Sequence, residues 1–451
     1  MQSLRPYGTD EACLRRWDES DGKWAWSDVD RGTWKIASDR YQLFYRQWLA
    51  QPPNPKFSKT APYELSIGAD KHGTPLLPFH AADSSQGKIL VTESYEYTFI
   101  RILYLRERDL GRARGVVLTG QPGTGKTTFL KYMLVRLLSA RQVVLLYEKS
   151  GIYLFYLGQV YFSAARNFGH LPEHRTKGFC PVWALIDADL EAQEPPIRAH
   201  SNIWPIQASP PDPIRWKVWV RQNHASILGM PKWNMEELVK GLRLCPEYNN
   251  FRHRLAESLS LVDGSPPIAT GDENIDATLQ LLRKERGEEE EEEDCGESSD
   301  GARSLATDQG VNTVGETDQS EAAADQVDAA FEILVQNATG EFGFAPRDVY
   351  RGVFQLPATR MEHKAYVDDF TCEQFRAFIN GFSTDHPFCN LPPHVIEVYP
   401  RPPPIGTTDD SWAVDFKSFR IGKEMVMKMS DTVDEKLLLE MYHHCRRTPG
   451  L

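Results

Sequence analysis

Short apolar runs and helically spaced apolar residues alternate along the middle of the chain. Apolar runs rich in β-branched or aromatic residues predict buried strands, and apolar residues at helical spacing predict helices. The predicted strands are 115–119, 142–147, 181–189 and 203–208, with a hairpin over 152–162. The predicted helices are 92–109, 128–138, 232–244 and 251–261. Asn234 is the expected N-cap of the third helix, and Glu237 stands where a capping box places a carboxylate. This alternation predicts an α/β fold in which helices flank a parallel sheet.

The pattern changes on both sides of this core. Residues 1–90 form a Trp-rich N-terminal region with one predicted helix over 35–49, and residues 91–265 form the α/β core. Residues 266–326 lose apolar periodicity and include six consecutive glutamates, so we expect a disordered acidic insertion. Residues 327–451 are predicted to form a mainly helical α+β accessory part that acts as a lid. Its predicted helices are 327–336, 346–353, 371–382 and 432–444, and its predicted strands are 395–399 and 412–416.

The net charge of −12 is local. Residues 285–328 contain 16 acidic and two basic residues, which leaves a net +2 for the rest of the chain. The overall charge therefore says little about partners, and nucleic-acid binding is neither indicated nor excluded. The seven cysteines are scattered and form no C-x-x-C pair, which argues against a disulfide framework or a zinc site.

The targeting signals are equally sparse. The sequence contains no run of 18 apolar residues and no apolar N-terminal signal region, so we expect no membrane span and an intracellular location, cytoplasmic or nuclear.

The most specific motif is the octapeptide Gly-Gln-Pro-Gly-Thr-Gly-Lys-Thr at 120–127. It has the form G-x-x-x-x-G-K-[ST], and it lies between a predicted strand and a predicted helix, as a phosphate-binding loop requires. Lys126 is predicted to contact the β- and γ-phosphates of a nucleoside triphosphate, and the Thr127 hydroxyl to bind Mg²⁺. The predicted nucleotide-binding residues are Gly120, Gln121, Pro122, Gly123, Thr124, Gly125, Lys126, Thr127 and Thr128.

Other residues are predicted to complete this site. Asp187 ends an apolar strand and is expected on the magnesium side. Asp189 is a candidate base, because Ala188 occupies the position after Asp187 where related ATPases carry glutamate. Gln207 and Ser209, at the end of the next strand, are candidate sensors of the γ-phosphate. Arg347 begins a predicted helix after Gly343 and is a candidate contact to the phosphates from the lid.

Several of these features occur together in the order of a known family. The chain resembles the P-loop NTPase module of Crinkler-type and retrotransposon-hot-spot proteins, which is similar to AAA and STAND ATPases. The resemblance covers roughly residues 90–260 and the 343–347 patch, and it implies nucleotide binding by a parallel sheet. The residues that carry it are Glu93, Tyr95, the 120–127 loop, Asp187, Ser209, the Met230–Trp233 segment and the Glu236–Leu238 segment.

Three functions are compatible with these residues. The first is Mg²⁺-dependent binding of ATP or GTP with slow hydrolysis, in which nucleotide state moves the C-terminal lid. The second is a non-catalytic nucleotide-binding regulator, because Ala188 replaces the usual glutamate. The third is a small-molecule kinase. The expected partners are a nucleoside triphosphate and, by self-association or otherwise, another protein.

Overall fold

The structure is a computed structural model. It describes residues 34–49, 60–69, 72, 74–77, 87–108, 115–148, 150–156, 158–164, 182–187, 203–212, 216–260, 271–286, 316–371, 373–374, 392, 394–401 and 411–430. All statements below concern these residues.

An eight-stranded sheet forms the centre of the described chain. Its strands in sequence order are β1 (Lys35–Ile36), β4 (Val116–Thr119), β5 (Val144–Glu148), β6 (Gly151–Tyr156), β7 (Gln159–Ser163), β8 (Val182–Asp187), β9 (Ile203–Ala208) and β10 (Ser226–Gly229). Across the sheet they lie in the order β1-β7-β6-β5-β8-β9-β4-β10. The five strands from β5 to β10 in this order pair in parallel, and β6, β7 and β1 extend the sheet in antiparallel pairing.

Two smaller ladders accompany this sheet. β2 (Tyr63–Ser66) pairs with β3 (Lys88–Val91), and β11 (Ile396–Arg401) pairs with β12 (Ser411–Phe416), both antiparallel. The second of these ladders, here called the C-terminal hairpin, lies against β10, where Pro400 contacts Gly229. It therefore packs against β10, which pairs with β4.

The helices cover both faces of the sheet. They are α1 (Asp39–Leu49), α2 (Glu93–Arg108), α3 (Lys126–Ser139), α4 (Lys217–Asn223), α5 (Met235–Leu242), α6 (Tyr248–Ser260), α7 (Glu273–Arg286), α8 (Glu316–Phe342), α9 (Pro346–Phe354), α10 (Leu356–Asp369) and α11 (Phe419–Ser430). α3 is almost entirely buried, because it packs on one face of the parallel strands in the middle of the main core.

Alternate residues of each strand enter different cores, as the period of a strand requires. Leu118, Leu185 and Ile206 join the main core on the α3 face, which continues through α1, α2 and α5 to α9. Val117 instead joins a second core with Trp216, Trp219 and residues of α10, α11 and the C-terminal hairpin. α10, α11 and the C-terminal hairpin thus pack against the face of β4 that is opposite α3.

The sequence-based prediction is confirmed at the level of fold class: this is a mixed α/β structure with a mostly parallel central sheet and flanking helices. The hairpin over 152–162 and the strand over 203–208 are found as predicted. The capping box predicted at Asn234 and Glu237 is present, with both reciprocal hydrogen bonds at 2.9 Å.

Some expectations differ from the structure or concern residues that it does not describe. The prediction of disorder over 266–326 is wrong for 273–286, which form α7, and for the start of α8. Ile275, Leu279 and Leu282 of α7 are buried in the main core. Of the N-terminal tryptophans, Trp34 and Trp48 are buried, whereas Trp17, Trp24 and Trp26 lie outside the described residues, as does most of the predicted helix over 371–382 and all of 432–444.

Candidate functional site

Residues 120–125, the candidate loop, connect β4 to α3. Gly123 and Gly125 have φ values of +84° and +89°, in the left-handed region that favours glycine. A Cβ at position 123 would lie 2.7 Å from the Cβ of Arg347, and a Cβ at position 125 would collide with the Tyr95 hydroxyl. The two glycines are therefore required both by the backbone and by close packing around the loop.

The start of α3 is open to an anion. Gly125 is the N-cap residue and has no side chain with which to cap the first N–H groups of the helix. Such N–H groups, together with the positive end of the helix dipole, favour a phosphate. Thr127 and Thr128 follow in the first turn, and both are half-buried.

Lys126 turns back onto the candidate loop. Its Nζ donates hydrogen bonds of 2.8 Å to the carbonyl oxygen of Gly120 and 2.7 Å to that of Gln121. Burial, and then the positive charge of Arg347, lower the pKa of Lys126 to about 7, although Asp187 acts in the opposite direction. The ammonium is therefore held centrally in the loop by neutral carbonyl groups, where an anionic ligand would stabilise its charge.

The backbone of the loop is braced from two sides. Thr124 Oγ1 donates a hydrogen bond of 2.9 Å to the Gln121 carbonyl, and Tyr95 Oη of α2 donates one of 2.9 Å to the Gly125 carbonyl. Trp233 meets the Tyr95 ring edge to face, with 6.3 Å between centroids. Tyr95 and Trp233 thus form a wall beside the N-terminus of α3. Both residues belong to the resemblance to Crinkler-type proteins, which assigned them no role.

Asp187 ends β8 on the α3 face of the sheet. It follows Trp183 and Leu185, which alternate with it and belong to the main core, and it is half-buried. It acts electrostatically on Lys126, so the two side chains share one site. The described residues contain no group of three or more His, Cys, Asp or Glu that could hold a metal ion. Thr127 and Asp187 carry hard oxygen atoms, the ligand type that Mg²⁺ prefers.

Gln207 and Ser209 occupy different positions. Gln207 pairs with Val117 and Ile186, so it lies within the sheet on the face opposite α3, and it is fully buried. Ser209 follows β9 and continues the ladder, because its N–H donates a hydrogen bond of 2.9 Å to the Leu118 carbonyl. The Ser209 hydroxyl and both Gln207 amide atoms have no hydrogen-bond partner among the described residues. The structure thus places Ser209 at the end of the ladder next to the loop, and Gln207 two residues earlier, within the sheet.

Arg347 begins α9 directly over the candidate loop. Its Cβ faces Gly123, its side chain is exposed, and its charge acts on Lys126. Arg347 therefore lies beside the loop, and its predicted contact to the phosphates stays a prediction. Asp189, the predicted base, lies outside the described residues, so its position stays a prediction.

The C-terminal hairpin also reaches the loop. Gln121 Nε2 donates a hydrogen bond of 2.8 Å to the Ile396 carbonyl. Next to it, Lys232 Nζ lies 2.5 Å from Glu397 Oε2, and Glu397 is almost fully buried. Burial raises the pKa of Glu397, whereas Lys232 acts to lower it. These contacts were not predicted, because no sequence pattern indicates that a hairpin 275 residues away packs on the loop.

One further acidic residue at the strand ends was missed by the sequence analysis. Glu148 ends β5, the parallel neighbour of β8, and is half-buried. A single glutamate at the end of a predicted strand carries no motif, and the order of the strands was required to place it beside Asp187.

The comparisons with known proteins show partial similarity to one group. The chain is 24% identical to Crinkler effector protein 15 of Phytophthora infestans over 199 residues, which are 43% of this chain and 30% of that protein. It is 26% identical to Crinkler effector protein 16 of the same organism over 156 residues, 34% of this chain and 24% of that protein. No protein-family model matches the chain.

The chain is similar to Crinkler effector proteins over part of its length. It spans less than a third of each of these curated relatives. The resemblance found in the sequence is confirmed to this extent. Separately, none of the helices in the described parts of the chain is both long and apolar enough to cross a bilayer.

Proposed function

We propose that this protein binds a nucleoside triphosphate, ATP or GTP, together with Mg²⁺ at the candidate loop and hydrolyses it slowly. The observation that carries the proposal is the position of Lys126. Its ammonium lies on the carbonyls of Gly120 and Gln121 at the open N-terminus of α3. A cation, a helix N-terminus and a glycine loop at one point form a site for a polyphosphate. The resemblance to Crinkler-type proteins supports the same proposal.

The residues of the candidate site have different proposed roles. Gly120 to Thr128 surround the phosphates, and Lys126 neutralises the charge on the β- and γ-phosphates. Thr127 and Asp187 hold Mg²⁺, which supplies charge stabilisation for phosphoryl transfer. Ser209, whose hydroxyl is buried at the edge of the sheet, is the favoured contact to the γ-phosphate.

The C-terminal part is proposed to respond to the nucleotide. Arg347 packs over Gly123, and Gln121 holds the Ile396 carbonyl, so the lid helix α9 and the C-terminal hairpin both contact the loop. A ligand that draws Lys126 away from the Gln121 carbonyl removes a hydrogen bond from Gln121, the residue whose side chain holds the C-terminal hairpin. The same contacts also favour a second candidate function, in which bound nucleotide orders these elements without being hydrolysed.

Binding and phosphate release separate these functions. Both are measured with ATP and with GTP, with and without Mg²⁺, for the wild type, Lys126→Ala and the control Lys364→Ala, an exposed lysine of α10. We expect Lys126→Ala to weaken binding about 10- to 100-fold, because hydrogen bonds to a charged group contribute about 1.5–3 kcal/mol each. Lys364→Ala should behave as wild type. Equal binding by Lys126→Ala and wild type would refute the proposal, and binding without phosphate release would select the non-catalytic function.

A further inference from the structure

Glu148 and Asp187 end two adjacent parallel strands at the same edge of the sheet. The register pairs Leu146 with Leu185 and Tyr147 with Ile186, so Glu148 and Asp187 are the next residues on their strands. Leu146 and Leu185 both enter the main core beneath α3. Because side chains alternate along a strand, Glu148 and Asp187 both project on the α3 face, the face of Lys126.

The Glu148 carboxylate is held by its neighbours. Tyr41 Oη of α1 donates a hydrogen bond of 2.8 Å to Glu148 Oε2, and the Tyr41 ring stacks on Tyr153 with 4.0 Å between centroids. Within the described residues, the second carboxylate oxygen, Oε1, receives no hydrogen bond. Lys131 of α3 and Asp187 both act on Glu148 electrostatically. The Tyr41 hydroxyl thus fixes the orientation of the Glu148 carboxylate.

We infer that Glu148 is the general base for nucleotide hydrolysis and that Tyr41 is its positioning residue. The inference rests on the proposed function. It supplies the group that the sequence lacks after Asp187, where Ala188 cannot accept a proton. A carboxylate on the neighbouring strand can serve the same purpose, since a base needs only to reach the attacking water.

The oxygen of a water molecule forms a bond to the γ-phosphorus while Glu148 Oε1 accepts a proton from that water. The bond between the γ-phosphorus and the β–γ bridging oxygen breaks, and its electron pair stays on the nucleoside diphosphate. The proton then leaves Glu148 for inorganic phosphate or solvent, which restores the carboxylate.

The surroundings of Glu148 predict a pH signature. Burial, and more weakly Asp187, raise the pKa of Glu148, whereas the Tyr41 hydrogen bond, Lys131 and Arg40 lower it. A base works only when deprotonated, so hydrolysis should fall as pH decreases through this pKa. Removing the Tyr41 hydroxyl takes away a stabilising hydrogen bond to the carboxylate. The acidic limb of the rate profile should then move to higher pH, with little change in nucleotide affinity.

The test measures nucleotide affinity and phosphate release against pH for the wild type, Glu148→Gln, Glu148→Asp and Tyr41→Phe. Glu257→Gln, an exposed carboxylate of α6, is the matched control. We expect Glu148→Gln to keep its affinity within about threefold and to lose phosphate release by about 100-fold or more, the usual contribution of a general base. Glu148→Asp should keep part of the rate, and Glu257→Gln all of it.

The outcomes separate this inference from the function on which it rests. If the wild type binds no nucleotide, the proposed function fails and this inference fails with it. If the wild type binds without turnover, or if Glu148→Gln hydrolyses at the wild-type rate, nucleotide binding stands and Glu148 is not the base. If Glu148→Gln does not fold, Tyr41→Phe decides: an acidic limb at the wild-type pH overturns the inference, and a limb at higher pH supports it.

Discussion

Gln121 Nε2 donates a hydrogen bond of 2.8 Å to the carbonyl oxygen of Ile396, 275 residues further along the chain. The carbonyl of the same Gln121 accepts a hydrogen bond from Lys126 Nζ. One residue of the candidate loop therefore joins the lysine at the start of α3 to the C-terminal hairpin. A change in the partners of Lys126 acts on the residue that holds the hairpin, without any intervening residue.

The first prediction concerns the hydrogen bond from Gln121 to Ile396. Gln121→Met keeps the length of a buried side chain but removes the donor to Ile396. It should lower the free energy of unfolding by about 1–2 kcal/mol, because a buried carbonyl loses its partner. Chemical denaturation measures the change, and Gln222→Met, at an exposed position of α4, should stay within about 0.5 kcal/mol of wild type. Equal stability of the two variants would show that the bond contributes nothing to docking.

The second prediction concerns the buried ion pair beside it. Lys232 and Glu397 are separated by 2.5 Å, with side-chain exposures of 32% and 3%. A double-mutant cycle with Lys232→Met and Glu397→Gln should give a coupling of about 1–2 kcal/mol, since the carboxylate is removed from water. The exposed pair Lys240 and Glu236, treated in the same way, should give at most about 0.5 kcal/mol. Equal couplings would mean that Lys232 and Glu397 do not fasten the hairpin.

The third prediction separates backbone strain from packing in the loop. Gly123 and Gly158 have nearly equal φ values, +84° and +80°. A Cβ at Gly158 meets nothing within 4 Å, whereas a Cβ at Gly123 meets Arg347 at 2.7 Å. Gly158→Ala should cost about 1–2 kcal/mol from the left-handed backbone alone. Gly123→Ala should cost about 1–3 kcal/mol more because of overpacking.

Thermal and chemical denaturation of both alanine variants check this difference. Arg347→Gly in the Gly123→Ala background should recover most of the additional loss, because it removes the atom that the new Cβ meets. If the two single variants are equally stable, or if Arg347→Gly recovers nothing, α9 does not pack on the loop as the structure describes.

The sequence predicted features that depend on neighbouring residues, and it missed features that depend on the order of the strands. The capping box at Asn234 and Glu237 spans four residues, so its pattern is local, and the structure contains it. By contrast, Glu148 comes next to Asp187 only because β5 lies beside β8. The pairing of two strands 39 residues apart leaves no local signal that selects this glutamate from others.

Two errors have related causes. Residues 273–286 were expected to be disordered, because many charged residues surround the few apolar ones. Ile275, Leu279 and Leu282 nevertheless occupy one face of α7, and the neighbouring helices bury that face. Gln207 was expected near the γ-phosphate as a polar residue close to a strand end. Its register with Val117 and Ile186 instead directs it to the face opposite α3.

The last prediction follows from the pKa of Lys126, which burial and Arg347 lower to about 7. Above that pH the Lys126 side chain is mostly neutral in the nucleotide-free protein, whereas a bound triphosphate favours its charged form. Binding must therefore take up a proton, and affinity should fall as pH rises, by at most about tenfold per pH unit. Calorimetry of Mg²⁺–ATP binding at pH 8 in two buffers of different ionisation enthalpy measures the uptake. We expect about 0.9 proton for the wild type.

Two variants test the cause of this uptake. Lys126→Arg should take up almost no proton, because a guanidinium stays charged at this pH. Arg347→Ala should take up fewer protons than wild type, because removing the neighbouring positive charge raises the pKa of Lys126 in the free protein. If the wild type binds Mg²⁺–ATP without taking up a proton, Lys126 is already charged in the free protein, as a lysine in contact with solvent would be. Uptake unchanged in Arg347→Ala would show that burial alone lowers the pKa of Lys126 and that Arg347 does not act on it.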